Sequence, residues 1–152
     1  MKRGKRLKAL RGATCARNEK ADITLQVAAL YDELLGRNRC REEDLVSLIF
    51  SVTKDLNAEN PAAALRRSGR ATDTALFAVQ EADAAEAPPR IIRVLAHCYM
   101  AGEPVHIYRN GAESLRPDRV RLADSDPMAY TQTNALKREA ASASPYKDDD
   151  KV

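Results

Sequence analysis

Two hydrophobic periods alternate along this chain. Ile23, Val27, Leu30, Tyr31, Leu34 and Leu35 recur at intervals of three and four, which predicts an amphipathic helix that begins within 21–24 and ends close to Gly36. Pro61, preceded by Asn60 as a cap, predicts a shorter helix that runs to about Ser68 and is ended by Gly69, with Ala62 and Arg66 on one face. The remaining apolar runs have strand length and composition. They are 7–10, 45–52, 74–79, 90–99 and 105–108. Gly12 is expected to permit a turn into a polar loop over 14–22, 41–44 is a charged turn, 53–60 a polar loop, and 84–89 a small flexible linker. Asn110-Gly111 is a hairpin signal ahead of Ser114-Leu115-Arg116. The resulting order, β, α, β, α, β, β, β, predicts an α+β fold in which a mixed sheet carries its helices on one side.

Charged residues interrupt this pattern where they are costly. Arg93 lies inside Ile91-Ile92-Arg93-Val94-Leu95-Ala96, a run that reads as a strand buried on both faces, and a guanidinium cannot escape burial by losing its proton. Arg11 follows Leu7-Lys8-Ala9-Leu10, and Glu81 closes Ala75-Leu76-Phe77-Ala78-Val79 with the opposite sign. An internal salt bridge would account for one such pair. Two arginines against one glutamate leave a positive surplus, which predicts a bound anion.

With 152 residues, the chain suits one domain, 1–118, followed by a polar tail, 119–152, that lacks an apolar period and is read as mobile. The tail closes on Tyr146-Lys147-Asp148-Asp149-Asp150-Lys151, which is similar to a common epitope tag. The formal net charge is only +3, yet Lys2, Arg3, Lys5, Arg6 and Lys8 crowd the start. Such an arm could touch nucleic acid or an acidic membrane, but with few aromatics and no Trp there is no stacking platform, and neither partner is expected. Cys15, Cys40 and Cys98 are odd in number and widely spaced, the pattern of reduced thiols in a cytoplasmic protein. His97 and Cys98 would point to opposite faces of a strand, so a metal site is not expected. No apolar run approaches the roughly eighteen residues needed to span a bilayer.

Taken in order, Arg11-Gly12-Ala13-Thr14, Ser51-x-Thr53-x-Asp55-Leu56-x-Ala58-x-x-Pro61-Ala62-x-Ala64-x-Arg66, Gln80-Glu81-x-Asp83, Arg93-Val94, Tyr108 and Leu115-Arg116-Pro117-Asp118 form a set that resembles the trimeric, barrel-like class of monofunctional chorismate mutase. The resemblance spans about 7–118 and rests on the ordered set, since no single piece is specific. It implies a five-stranded mixed sheet packed by helices, assembled as a homotrimeric pseudo-barrel with sites between adjacent subunits. It also implies conversion of chorismate to prephenate, an intramolecular [3,3] rearrangement that needs neither nucleophile nor proton relay, without a cofactor.

By the same resemblance, Arg93 would stand beside the ether oxygen whose bond breaks, Arg11 would clamp a substrate carboxylate, and Tyr108 would donate a hydroxyl to a carboxylate. Glu81 would accept a hydrogen bond from the ring hydroxyl and orient the cations. Arg66 and Arg116 would close over the mouth, Leu115 would supply apolar wall, and Ala78 would shape the pocket. Departures from the family pattern lie at the lip: Asn60 where an aromatic usually precedes the proline, Ala63 where lysine is common, Ala78 where cysteine is frequent, and a shorter link between Arg93 and Tyr108. A second reading keeps the same cleft as a non-catalytic binder of a small dicarboxylate.

Overall fold

A computed structural model describes residues 4–118. It divides into a compact unit reaching Leu115 and a second unit that opens at Arg116; the proposed tail, and Lys2 and Arg3 of the basic arm, lie outside the described residues. Among the described residues five strands form one sheet: β1 (Arg6–Cys15), β2 (Leu45–Val52), β3 (Ala75–Gln80), β4 (Ile91–Met100) and β5 (Ile107–Arg109). Their spatial order is β3-β2-β4-β1-β5. β4 is antiparallel to both β1 and β2, whereas the outer pairs β2–β3 and β1–β5 are parallel. The sheet is therefore mixed, and the α2 crossover between β2 and β3 suits their parallel pairing, which a tight hairpin could not make.

Helix α1 (Lys20–Arg37) buries Ile23, Val27, Leu30, Tyr31 and Leu34, the stripe read from its period. Asp22 secures its start by accepting the Arg17 amide at 2.6 Å. At its end the buried Asn38 donates to the Leu34 carbonyl at 2.8 Å and makes two bonds to the backbone of Val105, at 2.8 and 2.7 Å. Helix α2 (Pro61–Arg67) begins as expected, with the Asn60 side chain accepting from the amides of Ala62 and Ala63 at 2.9 and 3.2 Å. Both helices cover one face of the sheet, where Leu10, Leu48, Phe50, Ile92, Val94, Ala96 and Cys98 meet the α1 stripe and Leu65 in one core. Each fully buried Leu, Ile, Val or Phe among them contributes about 1.5–3 kcal/mol by leaving water.

The other face is open, and it corrects the reading of the run from Ile91 to Ala96 as buried on both faces. Along β4, Ile92, Val94, Ala96, Cys98 and Met100 are buried, while Arg93, Leu95, His97 and Tyr99 alternate with them in partial or full exposure. Leu7, Ile49, Phe77, Val79 and Tyr99 are also exposed there.

Two glycine readings also change. Gly12 is no turn: β1 runs through it to Cys15, and a Cβ there would lie 3.0 Å from both Leu30 Cδ1 and Val94 Cγ1. The residue is small because α1 and β4 approach the strand closely. Asn110 and Gly111 do take positive φ, +52° and +96°, but they lead into a 3-10 turn (Ala112–Leu115), not a second hairpin strand. The turn folds back over the open face, where Ala112 and Leu115 pack with Ala13, Cys15, Ile91 and Tyr108 in a second, smaller core.

Candidate active site

Strand register brings the charged candidates together. Val79 pairs with Ser51, Ser51 with Arg93, Arg93 with Ala13, and Ala13 with Tyr108, a row that crosses all five strands. Strands lie about 4.8 Å apart, so the Arg93 and Tyr108 backbones are about 10 Å apart with the small Ala13 between them. Arg11 pairs with Leu95, two residues along β1 from Ala13, and therefore faces the same side.

Glu81 follows β3 directly. Its amide donates to the Val52 carbonyl at 2.8 Å, which holds it against the end of β2. From there its carboxylate receives Arg93 Nη1 on both oxygens, and the Ser51 hydroxyl donates to Oε1 at 2.7 Å. The Arg93 side chain stays 35% exposed and that of Glu81 17%. Arg93 is thus neither sealed indoors nor loose in water: it is paired and half covered.

Arg11 behaves differently. Its main-chain amide donates to His106 Nδ1 at 3.1 Å, but among the described residues its exposed guanidinium has no partner. The Tyr108 hydroxyl, half buried, likewise makes no hydrogen bond among the described residues. Among the described residues, the surplus expected from two arginines and one glutamate therefore stands as one unpaired cation on the same face as one unused hydroxyl donor. Cys15, on the same face, feels both signs: burial pushes its thiol up, Glu113 adds to this, and Arg93 offsets part of it. A cavity of about 130 Å³ opens beside Glu81, between Thr53–Asp55 on one side and Asp83 and Pro88 on the other. Lys54 bridges its rim to Asp83 at 2.7 Å.

Ala78 and Arg66 stand apart from this group. Ala78 pairs with Phe50 and packs into the helix-side core, so its side chain is on the face opposite Arg93. Its neighbours Phe77 and Val79 hold the open face. Arg66 projects from α2 to the segment ahead of β3, donating to the carbonyls of Thr72 and Thr74, the latter at 2.9 Å. Arg116 belongs to the second unit, where it pairs with Asp118 through two bonds of 3.0 and 2.8 Å. Leu115 is beside Tyr108 in the smaller core.

Ser51 is the residue of this group whose role sequence reasoning missed. It was part of the motif set, but only register shows that it faces Arg93. The cysteines, too, are closer than their spacing suggests: Cys40 and Cys98 are free and buried, with Sγ atoms 3.2 Å apart. The basic arm is partly neutralised, since Lys5 pairs with the buried Asp44 at 2.5 Å and Lys8 with Glu103 at 3.4 Å. Among the described residues no helix is long and apolar enough to cross a membrane, and no group of three or more His, Cys, Asp or Glu is placed to hold a metal.

Residues 7–119 match the family model for chorismate mutase type I. The chain is 28% identical over 116 residues to the chorismate mutase AroH of Bacillus subtilis (strain 168), covering 74% of this chain and 91% of that protein. It is 31% identical over 118 residues to the chorismate mutase AroH of Thermus thermophilus, covering 74% and 95%. Its fold is similar to the solved structure of a chorismate mutase from Clostridium thermocellum, with a TM-score of 0.67, 37% identity, and coverage of 70% of this chain and 98% of that one. The match begins at Leu7 and takes in all of the sheet but its first residue, with Arg11, Glu81, Arg93 and Tyr108: the chain belongs to the chorismate mutase type I family.

Proposed function

We propose that this protein is a chorismate mutase, an isomerase that converts chorismate to prephenate for aromatic amino-acid biosynthesis. The observation that carries this reading is the open face of the sheet, where a Glu81-paired Arg93 stands on the same side as an Arg11 guanidinium and a Tyr108 hydroxyl that have no partner among the described residues. A flexible dianion needs such a place twice over. Its carboxylates must be held so that the ring and side chain stack in the reactive shape, and positive charge must meet the ether oxygen as its bond to carbon lengthens.

In this reading Arg93 supplies the charge at the ether oxygen. It cannot titrate away, and Glu81 fixes its direction. Arg11 grips a carboxylate through its planar fork. Tyr108 donates to a carboxylate, and Glu81 accepts from the ring hydroxyl. Leu115 forms apolar wall. All bonds made and broken lie within the substrate, so no side chain need act as nucleophile or general base.

We read the working form as a homotrimer with sites between subunits. The support is the open face, whose exposed Phe77, Val79, Ile49, Tyr99 and Leu7 form an apolar surface that a second sheet would cover. Arg66, which donates to the Thr72 and Thr74 carbonyls, and Arg116 are assigned to closing the mouth in that assembly. The three free cysteines favour a cytoplasmic protein.

The test is to follow loss of chorismate's diene absorbance with the purified protein, beside Arg93→Ala and Arg93→Lys. Turnover should fall at least a hundredfold in Arg93→Ala, about 3 kcal/mol of transition-state stabilisation, with partial activity in Arg93→Lys. A parent protein that binds chorismate without converting it would overturn the assignment in favour of a dicarboxylate-binding protein.

A further inference from the structure

We propose that Ser51 is a positioning residue for this reaction: its hydroxyl locks the Glu81 carboxylate in the orientation that aims Arg93 and leaves acceptor capacity for the substrate. The inference rests on the reading above and adds a residue to it.

Glu81 needs such a lock. It is the first residue beyond β3, at the start of the 81–90 segment that has no helix or strand of its own. Its backbone is tied to Val52, but its side chain has three rotatable bonds. Arg93 touches both oxygens through the single atom Nη1, a contact that sets a distance yet leaves the carboxylate free to rock about it. A second donor from another direction removes that freedom. Ser51 supplies it at 2.7 Å to Oε1, from β2, directly opposite Arg93 in the antiparallel register.

A charged carboxylate offers about four lone-pair sites. The contacts with Ser51 and Arg93 leave part of that capacity for the substrate's ring hydroxyl. β2 reads LVSLIFSV, and a small hydroxyl residue in place of a β-branched one is no aid to strand formation. At position 51 a larger apolar side chain would crowd the ion pair and leave Glu81 one donor short.

Steady-state kinetics on chorismate with Ser51→Ala, Ser51→Thr, Glu81→Ala and the Ser51→Ala/Glu81→Ala double variant test this. Ser51→Ala should lower kcat about tenfold, the effect of one hydrogen bond to a charged group, with KM within about twofold and an unchanged melting transition. Ser51→Thr, which keeps the hydroxyl, should recover kcat to within about threefold of the parent. In the Glu81→Ala background the serine substitution should cost nothing more, because its effect runs through that carboxylate. An unchanged kcat in Ser51→Ala overturns the proposal, as does a threonine variant as slow as the alanine one, or a full tenfold loss added on top of Glu81→Ala. A parent inert toward chorismate removes the reaction and this role together. An active parent that loses turnover in Arg93→Ala but not in Ser51→Ala removes only the role of Ser51.

Discussion

Arg93 and Tyr108 are both registered to Ala13, one from each side of β1. Neither is near the other in sequence, and the residue between them has almost no side chain. The guanidinium and the phenol can therefore address two ends of one small ligand across the gap. Among the described residues the Tyr108 hydroxyl has no partner, and under the proposed function a substrate carboxylate would supply one. Tyr108→Phe should raise KM for chorismate by about tenfold, the size of a hydrogen bond to a charged group, and lower kcat less, since the bond is made in ground and transition states alike. Steady-state kinetics check this; an unchanged KM would remove Tyr108 from the site.

The apolar open face predicts an oligomer that one charge can break. Phe77 is 64% exposed on β3, so Phe77→Glu should leave the protomer's circular dichroism intact while shifting its mass, by sedimentation or light scattering, from trimer toward monomer. Activity should fall with the assembly. A parent that sediments as a monomer, or a variant that remains a full trimer, would refute the proposed use of this face.

Gly12→Ala should destabilise the fold although the strand backbone accepts alanine. The added methyl would stand 3.0 Å from Leu30 Cδ1 and Val94 Cγ1, and one extra methyl in a closed core costs about 1–3 kcal/mol. The urea midpoint should drop accordingly. No change would mean that α1 and β4 leave room for a methyl group at this point of β1.

Alkaline pH should unfold the protein in part through Cys98. Burial raises its thiol from 9.0 to about 12, and the neighbouring Cys40 thiol adds to the effect. In the unfolded chain this thiol ionises above about pH 9; in the native core it stays protonated. Stability it contributes is therefore complete below pH 9 and is lost as pH rises toward 12. A Cys98→Ser variant should show a shallower decline of urea stability over that window than the parent. Equal slopes would show that the thiol does not govern the response.

Much of this was legible in the chain and some was hidden for definite reasons. The stripe from Ile23 to Leu34 and the Asn60-Pro61 start announce their helices because helix chemistry is local. Arg93 and Glu81 announce themselves because a charge in an apolar run demands a partner. Gly12 was misread since a glycine needed for close approach looks the same in sequence as one needed for a turn. β4 seemed buried on both faces because Leu95, on the open side, is as apolar as the buried Val94. Ala78 fell on the wrong face, and Ser51 escaped notice, because facing depends on register with neighbouring strands, information that no single strand carries.

Asn38 closes the end of α1 and holds Val105 by both its amide groups, two residues before β5 begins. A strand of three residues at a sheet edge has little grip of its own, so the tyrosine it carries is moored to the far end of an eighteen-residue rod. Loosening that mooring would displace Tyr108 while leaving the Arg93–Glu81 pair in place, so under the proposed function the helix terminus would tune affinity from a distance.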